Sequence, residues 1–441
     1  MTSSEILAPA PLLAGEPEEI RDRLRHGMRD VPFPPNPVPL HPVLLPAATY
    51  EELHSAAAAV LGVLFRAARR LGNDRGERLA ALGIDPVTAP LFTGDDEWEW
   101  RYAACIARPD AFVTPDGVKL IEYNVGGGVG AAVQTQLLGD TWVDDIYAGR
   151  GLSAYRPYAA RADLFEETAA REGTDRAVAL VGSVADLVRG VTSTRYFDSE
   201  VDYLRRRGLR AEFFEPTDLM DGLFTRDGRL SYPLGLRHFT VQEWGEMGLD
   251  WSPLGEALAA GCQLLASQTS ALLSNKKLLA VASAGQPGMS AQDRELVQRY
   301  LPWTRVVGTQ QVRYQGALHR LDELLLACPE RFLLKGAIGM KGEKVLMGRD
   351  TDTATWRAAV GAAVHAGDSI AQERVESLRY PMSVRAEDGS VTTGLVAPVL
   401  GPFVIGGRPG GCLARFFPDG ADGVISVERH GGLQNIAVAA H

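Results

Sequence analysis

Residues 108–125 constrain the fold of this chain more than any other segment, because they read as a β-hairpin with one polar face. The segment is RPDAFVTPDGVKLIEYNV, in which two alternating stretches flank Pro115-Asp116-Gly117. A three-residue loop with glycine at the left-handed position is a common hairpin turn. We therefore predict that Thr114 pairs with Val118 and that this pairing sets the register of both strands.

In that register the polar residues of the hairpin lie together. Asp110 pairs with Glu122 and Arg108 pairs with Asn124, and side chains two positions apart on a strand share a face. The opposite face is apolar and suits a core, with Ala111, Val113, Ile121 and Tyr123. A slip of one residue would scatter the four polar groups, so the prediction depends on the register.

The two facing carboxylates indicate a bound cation. At about 5 Å and an effective dielectric constant of about 20, they repel by roughly 3 kcal/mol. Mg²⁺ would relieve that repulsion, since it is usually held by one or two carboxylates together with substrate phosphates. Asp110, Glu122 and Asn124 are the candidate metal ligands, and Arg108 could reach a phosphate. The alternative is an exposed polar face on which Arg108 neutralises the acids.

A glycine-rich turn, GGGVGAA at 126–132, follows the hairpin directly. Gly126, Gly128 and Ala131 match the G-x-G-x-x-A fingerprint of dinucleotide-binding proteins, so an NAD(P)-dependent oxidoreductase is one alternative. Against it, the preceding strand is polar and closes a hairpin, whereas a fingerprint strand is apolar and opens a βαβ unit. The turn could also bring the backbone close to another element. We favour a close approach of Gly126, Gly127 and Gly128 to substrate.

Lysine is scarce in this chain, and its few copies are clustered. Only six of the 45 basic residues are lysine, and five of the six lie between positions 276 and 344. Chance clustering in an arginine-biased composition is one interpretation. The other is a local need for compact ammonium groups, which arginine does not supply. The pair Lys276 and Lys277 lies early in a helix predicted over 271–283, and one of the two could contact phosphate.

The segment RFLLKGAIGMKG places Lys335 at the end of an apolar strand and beside a glycine-rich loop. Such a lysine, with the backbone N–H groups of the loop, can hold a triphosphate. The loop glycines are Gly336, Gly339 and Gly342. The later strand SIAQERVE could present backbone groups near Gln372 to the edge of adenine and a carboxylate, of Glu373 or Glu376, to ribose. An ordinary edge strand is the alternative for Gln372 and Glu373.

Two arginines near the end of the chain, Arg415 and Arg429, lie in glycine-rich surroundings. Arginines of this kind can clamp a carboxylate or a phosphoryl group in transfer, although a surface position is the ordinary alternative for each.

Charge and composition exclude several classes of partner. With 45 Lys and Arg against 55 Asp and Glu, the net charge is −10, so the chain has no overall attraction for nucleic acid or an anionic membrane. The first residues do not resemble a secretory signal. The longest apolar run, Ala56–Phe65, fits a buried helix. Four separated cysteines predict reduced thiols and a cytoplasmic protein.

The order of the elements predicts a mixed α/β and α+β multidomain protein. Residues 1–100 form an N-terminal arm and a helical region, and we expect the proline-rich stretch at 31–46 to be an extended surface arm or linker. Residues 101–170 contain the hairpin and the glycine turn. Residues 171–268 alternate strands and helices as a small parallel α/β unit does. Residues 269–441 run from helices, predicted at 271–283, 290–300 and 316–327, to a C-terminal sheet whose last predicted strand is VISVER.

Together these motifs resemble those of the ATP-grasp ligases. The chain has R-x-D and E-x-N in the hairpin, then LLSNKKLL, FLLKGAIGMKGEKV, IAQERVE and a C-terminus rich in glycine and arginine. Over residues 100–440 the order is similar to that of the circularly permuted branch, which includes glutathionylspermidine synthase and, more distantly, eukaryotic-type glutathione synthetase. The resemblance implies an ATP-grasp-like fold with an inserted α/β substrate domain.

The resemblance also implies an activity. Such a ligase phosphorylates a carboxylate with ATP, and an amine then attacks the acyl phosphate to give an amide, ADP and phosphate. By this carry-over Arg108 would steady the acyl phosphate, the loop 336–342 and the lysines would hold the phosphates, and residues 372–376 would contact adenine. The metal ligands would be Asp110, Glu122 and Asn124.

Two departures from the family bear on the substrates. The turn GGGVG replaces a loop with threonine or serine, and there is no Cys/His signature of an amidase domain. We therefore expect a free-standing ligase that joins small molecules, an amino acid or short peptide and an amine, with specialised metabolism as one setting for it. A non-catalytic nucleotide-binding protein is a further alternative. The sequence identifies neither the acid, the amine nor the oligomeric state.

Overall fold

The computed structural model describes residues 7–33, 37–184, 193–215, 230–250, 252–339, 345–421 and 431–441. The described residues form five β-sheets with helices packed around them. The strands are β1 (Val38–Pro39), β2 (Val43–Pro46), β3 (Ile106–Thr114), β4 (Gly117–Val125), β5 (Leu152–Ser153), β6 (Ala177–Val181), β7 (Arg210–Phe214), β8 (Leu234–Arg237), β9 (Gln263–Leu265), β10 (Thr304–Val306), β11 (Gln311–Tyr314), β12 (Ala317–Arg320), β13 (Phe332–Gly336), β14 (Val345–Met347), β15 (Ser369–Glu373), β16 (Tyr380–Arg385), β17 (Val391–Val396), β18 (Val399–Ile405), β19 (Arg408–Phe416) and β20 (Leu433–Ala440).

The α-helices of the described residues surround these sheets. They span Pro17–Gly27, Ala47–Arg69, Arg75–Leu82, Asp96–Tyr102, Ala132–Gly139, Pro157–Glu172, Arg195–Arg206, Val241–Glu246, Ser252–Ala259, Ser270–Ser274, Lys276–Ala284, Ala291–Tyr300, Leu321–Ala327 and Thr353–Ala366. Among the described residues, no helix has both the length and the apolar character needed to cross a membrane. The cytoplasmic location stays a prediction.

The largest sheet has the order β2-β20-β19-β18-β3-β4, with β5 paired to β20. Its neighbours are antiparallel except β2 and β20, which are parallel. The hairpin β3-β4 therefore lies at one edge of this sheet. The helix Ala47–Arg69 packs on the sheet and buries eleven of its side chains. The predicted buried helix at Ala56–Phe65 is confirmed as part of it.

A second sheet has the order β7-β6-β8-β9, and all its pairs are parallel. Strand β6, with the sequence AVALV, is buried at every position, as expected for a parallel strand that is covered on both faces. The carboxyl ends of β8 and β9 face the glycine turn that follows β4. The predicted parallel arrangement of this unit is confirmed, although β8 was not predicted.

A third sheet, β10-β15-β13-β14, is antiparallel and carries Lys335. We call it the lysine sheet. One face packs on the helices Leu321–Ala327 and Thr353–Ala366 through Phe332, Leu334, Ala371 and their neighbours. The other face carries Lys335 and Gln372 to the hairpin, where both side chains bond to strand β4.

Two local predictions are wrong. The proline-rich stretch is not a surface arm over residues 37–46, because β1 pairs with β16, β2 pairs with β20, and most of these residues are buried. The predicted helix 316–327 begins only at Leu321, because residues 317–320 form strand β12 of a hairpin. The predicted strand VISVER lies outside the described residues.

Candidate active site

The hairpin pairs its two carboxylates as predicted, although its turn differs from the predicted one and one strand contains a bulge. Asp110 pairs with Glu122 and Arg108 pairs with Asn124. The turn is one residue tighter than expected, since Thr114 pairs with Gly117 rather than with Val118. A β-bulge at Ile121 restores the register, because this residue has no partner between the pairs Asp110–Glu122 and Ala111–Leu120. Bulges often occur beside active sites, where they redirect side chains.

Asp110 lies between two arginines. Arg415 Nη2 is 2.7 Å from Asp110 Oδ2, and Arg108 Nε is 4.0 Å from Asp110 Oδ1. Burial by itself would raise the pKa of Asp110, but the charges of Arg415 and Arg108 outweigh burial and lower it. Burial, together with the charge of Arg415, lowers the pKa of Arg108 to about 10. The Arg108 side chain passes over Gly401, where a β-carbon would lie 2.9 Å from its Cδ.

Glu122 faces two lysines. Lys276 Nζ is 2.9 Å from Glu122 Oε1, and Lys335 Nζ is 3.9 Å from Glu122 Oε2. Lys276 Nζ also donates to the carbonyl oxygen of Gly339 at 3.0 Å, which links the helix to the glycine loop. Both lysines are buried, with relative exposures of 7% and 4%. Burial lowers the pKa of Lys335, and the nearby Glu122 opposes that shift.

The carbonyl oxygen of Ile121, exposed by the bulge, joins the hairpin to the lysine sheet. It accepts hydrogen bonds from Lys335 Nζ at 3.1 Å and from Gln372 Nε2 at 3.2 Å. Gln372 Oε1 accepts from Lys335 Nζ at 3.0 Å, and Gln372 Nε2 also donates to Thr304 Oγ1 at 3.2 Å. The metal-ligand candidate Glu122 is therefore only one residue from the carbonyl that orients Lys335.

The side chains of the predicted adenine and ribose segment have different partners. Gln372 is buried in the network with Lys335 rather than presented at an edge. Glu373 lies on the opposite face of β15, where its Oε1 accepts from the hydroxyl of Tyr314 at 2.7 Å. Glu376 forms an ion pair with Arg374 at 2.7 Å. The sequence pattern did not show which face of the strand each side chain would occupy.

The structure distinguishes the two neighbouring lysines. Lys276 reaches Glu122, whereas Lys277 lies near Gly83, where a β-carbon would be 3.1 Å from its Nζ. The loop residue Gly336 ends β13, and the carbonyl of Gly339 contacts Lys276. Gly342 lies outside the described residues, as does Arg429.

The glycine turn approaches another part of the protein. A β-carbon on Gly127 would lie 2.5 Å from the carbonyl oxygen of Leu265 and 2.6 Å from that of Arg237. A β-carbon on Gly128 would lie 2.7 Å from the backbone of Phe239. These glycines dock the hairpin on the parallel sheet. The dinucleotide fingerprint lacks its structural context, since β4 is antiparallel to β3 and does not begin a βαβ unit.

The sequence reasoning missed Arg237, which ends β8 beside the glycine turn. Its Nη1 donates to Gln268 Oε1 at 3.0 Å, while its buried Nε has no hydrogen-bond partner among the described residues. Burial lowers the pKa of Arg237 to about 10, against the opposing charge of Glu99. Ligands in open α/β sheets bind outside the carboxyl ends of the strands. An apolar segment ending in Arg-His, LGLRH, was the available signal.

The site carries an excess of positive charge, and it also contains oxygen atoms that suit a metal ion. Four cationic side chains lie against two carboxylates, which favours a polyanion. Asp110 Oδ1 is buried without a hydrogen-bond partner among the described residues, and Asn124 uses only its Nδ2, which donates to the Arg108 carbonyl at 3.2 Å. These oxygens fit Mg²⁺. The described residues contain no group of three His, Cys, Asp or Glu side chains placed for a metal.

Comparison with known proteins shows the fold. The chain is similar to a glutathione synthetase-like effector from Globodera pallida in its apo form, at 12% identity and a TM-score of 0.59, over 98% of this chain and 100% of that chain. A candidate gamma-glutamylcysteine synthetase from Methylobacillus flagellatus KT aligns at 14% identity over 83% of this chain and 86% of that chain. Its TM-score of 0.38 is too low to indicate a shared fold. No protein-family model and no curated protein matches the chain.

At 12% identity the first likeness bears on architecture alone. The chain has a mixed α/β, multidomain fold like that of the glutathione synthetase-like effector. This agrees with the ATP-grasp-like fold that the sequence motifs predicted.

Proposed function

We propose that this protein is an ATP- and Mg²⁺-dependent ligase that joins the carboxylate of an amino acid or short peptide to an amine. The observation that carries the proposal is the pair Asp110 and Glu122, held opposite each other among four cationic side chains. Such a pair can hold a divalent cation, and the surrounding cations can hold phosphates. The fold, which is like that of a glutathione synthetase-like effector, is compatible with such a ligase.

In this proposal Asp110, Glu122 and Asn124 would hold Mg²⁺, which neutralises phosphate charge when it is bound. Lys335 is fixed by Ile121 and Gln372, so its remaining N–H can be directed at a phosphate oxygen. Lys276 supplies a second ammonium group from the first turn of its helix.

The reaction needs charge stabilisation and alignment more than covalent help from the protein. A substrate carboxylate oxygen attacks the γ-phosphorus of ATP, ADP leaves, and an amine then displaces phosphate from the acyl phosphate to give the amide. Arg108 and Arg415 flank Asp110, and each has a buried Nε without a hydrogen-bond partner among the described residues. Both guanidinium groups can stabilise the phosphoryl oxygens during transfer.

The parallel sheet is proposed as the substrate-binding part. At the carboxyl end of β8, the Nε of Arg237 has no hydrogen-bond partner within the described part of the chain, and this arginine is suited to a carboxylate of the substrate. The turn Gly126, Gly127 and Gly128 lies between this arginine and the metal-ligand candidates and remains a proposed substrate contact. The N–H of Gly126 donates to the carbonyl oxygen of Ile106 at 2.9 Å, so Gly127 and Gly128 would supply the backbone N–H groups. Gly342 and Arg429 stay predictions for phosphate and substrate binding.

A screen for ADP release tests the proposal. Purified protein is given ATP, Mg²⁺ and pairs of amino acids, ADP is measured by a coupled assay, and products are identified by mass spectrometry. We expect ADP release that requires both members of a pair and is lost in Asp110→Asn. Asp116→Asn is the matched control, because Asp116 is exposed on the turn of the same hairpin.

Three outcomes would contradict the ligase. The first is ADP release that does not depend on either amino acid. The second is a thermal shift with NAD(P) and none with ATP or ADP and Mg²⁺, which would favour the oxidoreductase alternative. The third is nucleotide binding without ADP release on any mixture, which would indicate a binding protein.

A further inference from the structure

Glu122 is the point at which the candidate metal site and the candidate phosphate site overlap. Each of its carboxylate oxygens faces an ammonium group, Oε1 facing Lys276 at 2.9 Å and Oε2 facing Lys335 at 3.9 Å. The same oxygens are the proposed ligands of a divalent cation. A metal ion on Glu122 and an ammonium group in contact with that carboxylate repel each other strongly, since both are cationic and the site is largely buried. One of the two must move before the other binds well.

The contacts indicate which lysine can leave. Lys335 is held by two hydrogen bonds, to the carbonyl oxygen of Ile121 and to Gln372 Oε1, neither of which involves Glu122. Lys276 has Glu122 as its ion-pair partner and otherwise donates to the carbonyl oxygen of Gly339 in the glycine loop. Lys276 is also the first residue of its helix, where only its side chain has to turn.

We infer that Lys276 is a displaceable counter-cation of Glu122, which moves from that carboxylate to the nucleotide phosphates and so opens Glu122 to the metal. This inference rests on the proposed function and adds an order to it. The nucleotide draws Lys276 away, the metal gains a ligand, and the two bind cooperatively. By linkage, each raises the affinity of the protein for the other to the same degree.

The inference predicts effects of opposite sign from one substitution. Removing the charge of Lys276 should strengthen the binding of metal alone, because Glu122 loses its competitor. The same change should weaken the binding of nucleotide without metal, because a phosphate contact is lost. A lysine that only stabilises the local structure would weaken both.

The experiment measures the two ligands separately. Mn²⁺ binding without nucleotide is followed by the electron paramagnetic resonance of free Mn²⁺, and ADP binding in excess EDTA is followed by calorimetry. Wild type is compared with Lys276→Met and with Lys277→Met, which is the matched control. Lys276→Gln is included in case the methionine variant is unstable, because glutamine keeps a donor for the Gly339 carbonyl. We expect Mn²⁺ affinity to rise on the order of tenfold in either Lys276 variant and ADP affinity to fall by a similar factor. Lys277→Met should bind both ligands as wild type does.

Three results would overturn the inference, and they differ in what they imply for the ligase. If the Lys276 variants bind both Mn²⁺ and ADP more weakly than wild type does, Lys276 only stabilises the local structure. If Mn²⁺ binds wild type and the Lys276 variants equally while ADP binds normally, Lys276 does not compete for Glu122, and the proposed function stands. If neither Mn²⁺ nor ADP binds any of the proteins, both the inference and the proposed function fail.

Discussion

The ion pair between Glu122 and Lys276 makes a prediction that does not depend on catalysis. The sequence suggested repulsion between Asp110 and Glu122, so Glu122→Gln would be expected to relieve strain. In the structure Glu122 neutralises two buried lysines, and its side chain is 21% exposed while those of Lys276 and Lys335 are 8% and 5% exposed. Glu122→Gln should therefore destabilise the protein, since it leaves both cations without their nearest carboxylate.

The distances set the magnitude. At 2.9 Å, the separation of Lys276 Nζ and Glu122 Oε1, Coulomb's law gives an upper bound of about 6 kcal/mol at an effective dielectric constant of about 20. Desolvation and side-chain ordering remove much of that attraction, and the partial exposure of Glu122 adds screening, so we expect a coupling of about 2 kcal/mol. Glu122→Gln alone should reduce the free energy of unfolding by about 3 kcal/mol, because Lys335 also loses its partner.

A double-mutant cycle measures this coupling. The free energies of unfolding of wild type, Glu122→Gln, Lys276→Met and the double variant are obtained in urea, on the first transition if the multidomain chain unfolds in steps. The double variant should be less destabilised than the sum of the two single variants by about 2 kcal/mol. A coupling energy below about 0.5 kcal/mol would refute the reasoning, because independent sites add within that margin. Glu122→Gln should also abolish ADP release.

Three further predictions follow from other contacts. Gly401→Ala would place a β-carbon 2.9 Å from Arg108 Cδ, so we expect turnover to fall on the order of a hundredfold while circular dichroism stays unchanged; full activity would show that Arg108 can shift freely. Gly361 lies inside the helix Thr353–Ala366, and a β-carbon there would have no atom within 4 Å. Gly361→Ala should therefore raise the free energy of unfolding by about 0.5–1 kcal/mol, and a lowered melting temperature would contradict this. The pKa of Asp110 is lowered from 3.8 in the folded state, so its ion pairs stabilise the protein above about pH 4 and lose that effect as the pH falls through the lowered pKa. The difference in unfolding free energy between wild type and Asp110→Asn should accordingly shrink in acid, and a difference independent of pH would exclude this role.

Local sequence rules predict the hairpin and the pairing of its two carboxylates, but not its turn or its bulge. Alternation in 108–125 and a turn rich in Pro, Asp and Gly predict a hairpin with Asp110 opposite Glu122, and that pairing is confirmed. The pairing is preserved although the turn differs, because the tighter turn and the bulge at Ile121 cancel each other in register. Neither feature has a strong local signal. The bulge is stabilised by Lys335 and Gln372, which are more than 200 residues away in the chain.

The sequence by itself determined which residue types were available: a carboxylate pair at fixed spacing, scarce lysines and a glycine turn. Their assembly depended on tertiary contacts. Periodicity could not tell Lys276 from Lys277, and the docking of the helix start against β4 decided between them. The face of β15 decided that Gln372 bonds to Lys335 while Glu373 bonds to Tyr314. Electrostatic and hydrogen-bond energies depend on distances between side chains, and pairings between remote segments set those distances.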